Sequence, residues 1–168
     1  MEVEAELKSK FSNIFIMLLL AIQNNDIDNV KHYLSDKLYE KYNDRCNKLK
    51  DKNEMQLYDE ANVKNIEIVK EYEEDDYDIC EVVINSRYMD YIIDLNTGNK
   101  VSGVDDHRLE IKHDLIFKKK KGAVKGNVVK CPGCGANLDV NFSGKCEYCG
   151  SVYSAESYDY ILTSITNL

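Results

Sequence analysis

Four cysteines near the C-terminal end constrain the fold of this chain more than any other feature. They form two Cys-x-x-Cys pairs, Cys131–Cys134 and Cys146–Cys149, separated by eleven residues. This spacing can place four thiolates at the corners of a tetrahedron, as a structural zinc ion requires. A glycine follows each pair, at Gly135 and Gly150. Because glycine takes a left-handed turn at little cost, we expect backbone N–H groups there to turn back toward the sulfurs.

The sequence therefore predicts a structural Zn²⁺ site made by Cys131, Cys134, Cys146 and Cys149. A rubredoxin-like iron site and a redox dithiol are the alternatives. Four cysteine ligands close the coordination sphere, so water or substrate has no open position and catalysis at the metal is not expected. We expect the metal to hold together the segment that carries the cysteines, about forty residues over 128–168. This segment, which we call the knob, is too small to have a good core of its own.

The thiols of the chain also bear on its compartment. Metal-bound thiolates indicate a reducing environment, because oxidising compartments favour disulfides. The remaining cysteines, Cys46 and Cys80, lie in unrelated segments and are predicted to be small buried apolar residues. We therefore expect a cytoplasmic protein.

The charge of the chain argues against nucleic acid as its main partner. Its 168 residues include 22 Lys and Arg against 30 Asp and Glu, a net charge of −8. Nucleic-acid binding depends on neutralising phosphates with basic side chains. The basic run Lys118–Lys121 is expected to be a solvated strand end and linker rather than a contact for an anionic surface.

The most apolar stretch, Ile14–Ile22, is too short to span a membrane. As a helix it would rise about 14 Å, whereas the hydrocarbon core of a bilayer is about 30 Å thick. Glu2, Glu4 and Glu6 stand where a signal peptide would carry positive charge. We expect no transmembrane segment, with peripheral contact at the inner face of a membrane left open.

Apolar residues at three- and four-residue spacing predict helices in the first part of the chain. The first spans residues 4–24, a short second one is capped by Asp26, and a third is capped by Ser35. The inward residues predicted for the third helix are Leu38, Tyr42, Cys46 and Leu49.

From about Val63 the pattern changes to alternation, which predicts strands. A long second strand is predicted over Tyr77–Asp94, followed by a reverse turn at Asn96–Asn99. Alternation returns over Leu109–Lys119. The last segment, Ala155–Leu168, carries apolar residues at helical spacing and is predicted to be a C-terminal helix.

Helices followed by a meander of long strands predict an α+β fold with the helices packed on one face of the sheet. We divide the chain into a helix-plus-sheet domain over residues 1–121 and a linker over 122–127. Residues 128–168 are predicted to form a Cys₄ zinc ribbon that ends in the C-terminal helix.

Several stretches resemble a known domain family. They are Asp28–Glu40 in the helical part, and Tyr88–Asp94 and Val101–Gly103 in the strands. They are similar to the C-terminal domain of the import-motor tether of the mitochondrial inner-membrane translocase, subunit forty-four. That family has bacterial members, some of which end in a zinc ribbon like Cys131–Gly150. The resemblance covers about residues 12–121.

The resemblance implies a fold of the nuclear-transport-factor-two (cystatin-like) type, in which a curved antiparallel sheet wraps over helices and encloses an apolar pocket. Together with the closed Cys₄ site and the lack of a catalytic constellation, this pocket favours a non-enzymatic binding or scaffold module that holds a lipid, acyl chain or other apolar small molecule. The ribbon would then be a protein-docking element, with Tyr148, Tyr153 and Lys145 as candidate contacts. The part of the mitochondrial relative that engages the chaperone motor has no counterpart here, so the import-tether role does not carry over.

An enzyme is the alternative, because the same fold type hosts isomerases and dehydratases. His113 shares one strand face with Leu109 and Phe117. If the face that carries Tyr88 and Asp90 also turns inward, His113 could meet either residue, and His113 with Asp90 could form an acid–base pair in an apolar pocket. A bulge in so long a strand would reverse the facing of Asp90 and leave His113 as a core residue bonded to a neighbour. We favour the non-enzymatic interpretation.

Overall fold

Helices precede strands along this chain. The computed structural model describes residues 3–121, 129–131, 133–138, 145–151 and 159–168. The helices are α1 (Glu4–Gln23), a 3-10 helix (Ile27–Tyr33) and α2 (Asp36–Asp51). The strands are β1 (Glu54–Glu74), β2 (Tyr77–Asp94), β3 (Lys100–Lys120), β4 (Val129–Lys130), β5 (Asn137–Leu138) and β6 (Ile161–Ile165).

The helices largely follow the sequence pattern. At the start of α2 the Ser35 hydroxyl accepts a hydrogen bond from the N–H of Leu38 at 3.3 Å, which confirms the predicted cap. The four inward residues predicted for α2 are all buried. Asp26 is a correction, because its side chain makes no capping hydrogen bond and the segment after it is a 3-10 helix. No helix within the described part of the chain combines the length and apolar character that a bilayer crossing requires.

One curved antiparallel sheet has the strand order β1-β2-β3-β6. Strand β2 has the bounds predicted from alternation, but β1 and β3 both begin well before the predicted starts at Val63 and Leu109. In β1 the alternation is hidden because one of its buried positions is polar: Gln56 is only 2% exposed. In β3 the early part is charged and mostly exposed, so no apolar alternation marks it.

Strand β6 replaces the predicted C-terminal helix within the described residues. It pairs antiparallel with β3, with Leu115 opposite Ile165 and Lys118 opposite Ile161. The helical prediction was wrong there because a sequence spacing that suits a helix face also fits a short strand against a sheet edge. Residues 152–158 lie outside the described residues. The segment that carries the cysteines is therefore an excursion between two neighbouring strands of one sheet, rather than an appendage after it.

The interior between α1 and the sheet is filled by side chains. Phe11 of α1 stacks on Phe117 of β3 with ring centroids 4.0 Å apart, and Tyr160 meets Phe11 edge-on at 5.3 Å. Leu162 of β6 is fully buried in the same cluster. Residues before and after the cysteine-bearing excursion thus share one core, which ties β6 to the helix–sheet domain.

The end of β3 carries the basic run of the sequence. Lys118 lies 5.9 Å from the ring centroid of Tyr77, and Lys119 lies 4.8 Å from that of Tyr160. Lys121 pairs with Glu73 at 2.8 Å. The first three lysines of the run belong to the strand. The linker predicted over 122–127 lies outside the described residues.

Candidate metal centre and the buried histidine

Two turns of the same geometry present the four cysteines. In the first turn the N–H of Gly135 donates to the carbonyl of Cys131 at 2.9 Å, and in the second the N–H of Gly150 donates to that of Cys146 at 2.9 Å. Both glycines are left-handed, with φ of 74° and 75°. This confirms the reason given for glycine after each pair, since other residues are strained in that conformation.

Backbone N–H groups of both turns point at sulfur, as the sequence predicts. The N–H of Gly133 lies 3.3 Å from Cys131 Sγ, and the N–H of Tyr148 lies 3.4 Å from Cys146 Sγ. A hydrogen bond to a sulfur favours its thiolate form, which is the form that ligates metals. Each turn therefore contains one sulfur that accepts a backbone hydrogen bond, Cys131 Sγ in the first and Cys146 Sγ in the second.

The four sulfurs have the dimensions of a tetrahedral metal site. All of them lie within 4.8 Å of one another. The Sγ atoms of Cys131 and Cys149 are 3.5 Å apart, and those of Cys134 and Cys146 are 3.8 Å apart. A metal bound to four sulfurs at about 2.3 Å separates them by about 3.8 Å. The donor set thus fits a tetrahedral ion, and a set of four thiolates suits zinc or iron.

The two members of each close sulfur pair differ in accessibility. Cys131 and Cys146 are each 3% exposed, whereas Cys149 and Cys134 lie at the surface. Hydrogen bonds from the hydroxyl and the N–H of Ser151 lower the pKa of Cys149 to about 6.

His113 lies in the core of the sheet domain and is fully buried. Its Nδ1 is 2.8 Å from the carbonyl oxygen of Thr166, and its Nε2 is 3.4 Å from the hydroxyl of Tyr88. Because a carbonyl only accepts, Nδ1 carries the proton and Nε2 accepts from the tyrosine. The ring of Phe15 packs on it with centroids 4.9 Å apart. These contacts are those of a core histidine with both nitrogens engaged.

Asp90 has a different set of partners. Its Oδ1 accepts from Gln56 Nε2 at 2.7 Å, and the Oε1 of Gln56 accepts from Arg45 at 2.9 Å. A register shift between β2 and β3 falls between Tyr88 and Asp90, where a bulge was expected to alter the pairing. The structure thus links Asp90 to α2 through Gln56. The sequence signal for this buried link was a polar residue at an inward position of β1.

The burial of His113 predicts a pH dependence of stability. Desolvation lowers the pKa of His113, while the Thr166 carbonyl and Asp114 act in the opposite direction. In the unfolded chain the histidine binds a proton near pH 6.5, whereas in the native chain its lowered pKa keeps it neutral to a lower pH. The free energy of unfolding should therefore fall as the pH drops below about 6.5. The slope from one group is at most about 1.4 kcal/mol per pH unit.

Urea denaturation between about pH 7.5 and about pH 5 measures this slope. We expect His113→Phe to flatten it. The matched control is His107→Gln, since His107 is an exposed histidine of the same strand, and it should keep the native slope. Equal slopes in both variants would assign the pH dependence to other groups.

The resemblance implied an interior pocket, and the structure has a hollow at the surface. It has a volume of about 440 Å³ and opens where α1 and α2 end and β1 begins. Its apolar wall is made by Ile22, Leu49, Met55 and Leu95. Its polar lining includes Gln23, Asn24, Asn25, Asn53 and Gln56. An apolar ligand in this hollow would lie against its apolar wall.

The second cysteine turn exposes an aromatic side chain. Tyr148 is 75% exposed and stands between two of the four cysteines, Cys146 and Cys149. Lys145 is exposed beside it, while Tyr153 lies outside the described residues. Of the contacts predicted from sequence, the structure thus displays Tyr148 and Lys145 at the surface of the knob.

The fold recurs in a solved structure of low sequence identity. The crystal structure of the intermembrane space region of the chloroplast protein ARC6 superposes with a TM-score of 0.50 at 10% sequence identity. The alignment covers 95% of this chain and 94% of that one. At this identity the likeness shows the fold alone. None of the curated proteins matches the chain.

A family model covers most of the chain. The model of the Tim44-like domain matches residues 4–127, which include α1, α2 and the three long strands. Domains of this family are non-catalytic tethers or binding domains. The match agrees with the stretches from which the resemblance was drawn. The chain belongs to the Tim44-like domain family.

Proposed function

We propose that this protein is a non-enzymatic binding module whose zinc-braced knob docks a protein partner. The observation that carries the proposal is the convergence of four sulfurs, all within 4.8 Å, from two turns of matching geometry. Cys131, Cys134, Cys146 and Cys149 would hold the ion. A closed set of four thiolates leaves zinc a structural role, that of cross-linking a segment too small for a core of its own.

Tyr148 is the residue most suited to anchor the partner. Its backbone N–H is held by Cys146 Sγ at 3.4 Å, while its side chain is 75% exposed. Tyrosine is enriched among residues that dominate binding energy at protein interfaces. A side chain on a fixed backbone also loses less freedom on binding than one on a mobile loop. The metal site would thus present a rigid aromatic anchor.

Replacing Tyr148 with alanine tests the docking role. We expect Tyr148→Ala to keep the metal and the fold but to weaken partner binding by about 2 kcal/mol or more, which is at least about thirtyfold. Affinity capture of partners from the source cell, quantified against the native chain, measures the loss. Tyr72→Ala removes a half-exposed tyrosine of β1 and is the matched control. Equal recovery with both variants would contradict the docking role of the knob.

The thiols and the charge of the chain indicate its compartment and its class of partner. Metal-bound thiolates are maintained in a reducing compartment such as the cytoplasm. The net charge of −8 opposes nucleic acid and anionic membranes as main partners. Any contact with the inner face of a membrane would be peripheral.

A lipid or acyl ligand is the second part of the proposal. The surface hollow at the ends of α1 and α2 supports it. The volume of about 440 Å³ lies within the range typical of ligand sites, and Lys50 at its rim can pair with a carboxylate or phosphate head group. Mass spectrometry of organic extracts from the purified protein should identify a bound acyl compound. Met55→Asp places a charge on the apolar wall and should abolish its retention, while empty extracts from the native chain would remove this part of the proposal.

A further inference from the structure

The cysteine cluster pairs each buried sulfur with an exposed one across the two turns. Cys131, which is 3% exposed, lies 3.5 Å from the surface residue Cys149. Cys146, also 3% exposed, lies 3.8 Å from the surface residue Cys134. These two sulfur contacts run between the turns, and each joins one accessible thiol to one protected thiol, although all four sulfurs lie within 4.8 Å of one another.

We propose that this cluster is a modification site for hydroperoxides, which convert its four thiolates into the disulfides Cys131–Cys149 and Cys134–Cys146 and thereby release the metal. The proposal rests on the metal-binding part of the proposed function. It assigns Cys149 and Cys134 as the sulfurs that attack peroxide, because they are at the surface. Cys131 and Cys146 are the resolving sulfurs.

The chemistry takes two steps at each pair. The exposed thiolate attacks one oxygen of the peroxide, the O–O bond breaks, and a sulfenic acid and a hydroxide ion (or an alcohol, from an organic peroxide) are formed. The buried thiolate then attacks the sulfenic sulfur, the S–S bond forms and a second hydroxide leaves. Each pair thus gives two electrons to one peroxide. Two peroxides oxidise all four sulfurs, and the ion departs because a disulfide sulfur is a poor ligand.

Pairing across the turns has a consequence for the knob. The native site holds the turns together through the metal, and the disulfides would join the same turns directly, with the sulfurs moving closer by about 1.5 Å. The sheet is unaffected, because β6 has its own pairing with β3. Oxidation would therefore alter the surface around Tyr148 while the core stays folded. Thiol reductants and fresh metal would restore the site.

The experiment treats the full-length, metal-loaded chain with hydrogen peroxide. Metal content is measured first, because a chain without metal contradicts the proposed function whatever happens afterwards. During oxidation a chromogenic chelator reports metal release, and peptide mass spectrometry locates the disulfides. We expect complete release, the two cross-turn disulfides, and recovery of binding after reduction in the presence of zinc.

Three results would overturn the inference while leaving the metal site intact. They are disulfides within each turn, joining Cys131 to Cys134 and Cys146 to Cys149; sulfinic acids in place of disulfides; and retention of metal at peroxide levels that fully oxidise free glutathione.

Single variants test the division of roles. Cys131→Ser leaves Cys149 without its resolving partner, so a sulfenic acid should persist there and be trapped by dimedone. In the native, metal-loaded chain, dimedone present during a brief peroxide pulse should trap Cys149 and Cys134 but not Cys131 or Cys146, because the latter two sulfurs are buried. Cys46→Ser is the matched control, since Cys46 is a buried cysteine of α2, and it should form the same two disulfides as the native chain. Adducts at Cys131 or Cys146 in the native, metal-loaded chain would contradict the assigned roles.

Discussion

Replacing Leu162 with alanine is expected to lower the free energy of unfolding of the sheet domain by about 2–5 kcal/mol. Leu162 is fully buried on β6, and its carbonyl accepts a hydrogen bond from the N–H of Ser35 at 2.9 Å. Truncating it removes apolar contacts and leaves a cavity in a core that also contains Phe11 and Phe117. The expected loss is large because β6, although it follows the cysteines, closes this core.

Urea denaturation followed by circular dichroism measures the effect. The matched control is Ser164→Ala on the same strand, since Ser164 is half-buried and small, and it should change stability by less than about 0.5 kcal/mol. If Leu162→Ala leaves unfolding unchanged but reduces metal content, β6 belongs energetically to the knob and the sheet topology is contradicted.

Replacing one metal ligand is expected to remove the metal but to leave the stability of the sheet domain almost unchanged. Cys131→Ser should abolish stoichiometric metal binding, because structural zinc sites in small peptides contribute about 10–16 kcal/mol that depends on all their ligands. The sheet domain should lose less than about 1 kcal/mol. Metal loss lengthens the free connection between β3 and β6 by no more than about twofold, and each doubling of a loop costs about 0.6 kcal/mol.

Limited proteolysis with metal analysis separates the two units. In Cys131→Ser, cleavage should become rapid between residues 128 and 154, while residues 1–121 and the paired strand β6 stay resistant. Tyr148→Ala is the matched control within the same segment, and it should keep both the metal and the resistance to cleavage. Cooperative unfolding of the whole chain on metal loss would contradict the account of two units.

Local sequence signals predicted much of this fold. The apolar spacing of α1 and α2, the Ser35 cap of α2 and the alternation of β2 arise from residues close together in the chain, so the sequence predicted them within a few residues. The early half of β1 was missed because Gln56 is polar yet buried, and its hydrogen bonds to Arg45 and Asp90 come from distant segments.

The last strand was mispredicted for a related reason. The apolar residues of Ile161–Ile165 fit a helix face as well as a short strand, and the choice is made by the free edge of β3. That edge is distant in sequence, so no local pattern indicates it. The position of the knob between β3 and β6 could not be predicted either, because it follows from the pairing of β6 with that distant edge.

The residues of the candidate site also differ in how far local sequence could predict them. The four cysteines were predicted because the spacing of metal ligands within each turn is local, and the structure brings their sulfurs together. His113 and Asp90 were harder, since their facing depends on a register shift in the sheet and on Thr166, which arrives with the C-terminal segment. The sequence identified both residues and Tyr88 as a possible neighbour of His113, but not the Thr166 carbonyl or the Gln56 amide that bond them.

The most direct measurement is the metal content and X-ray absorption spectrum of the untagged, full-length chain purified under reducing conditions. The account predicts one zinc ion per chain, surrounded by four sulfur atoms at about 2.3 Å. A chain that carries no stoichiometric metal, or an ion coordinated by nitrogen or oxygen instead of sulfur, would contradict it.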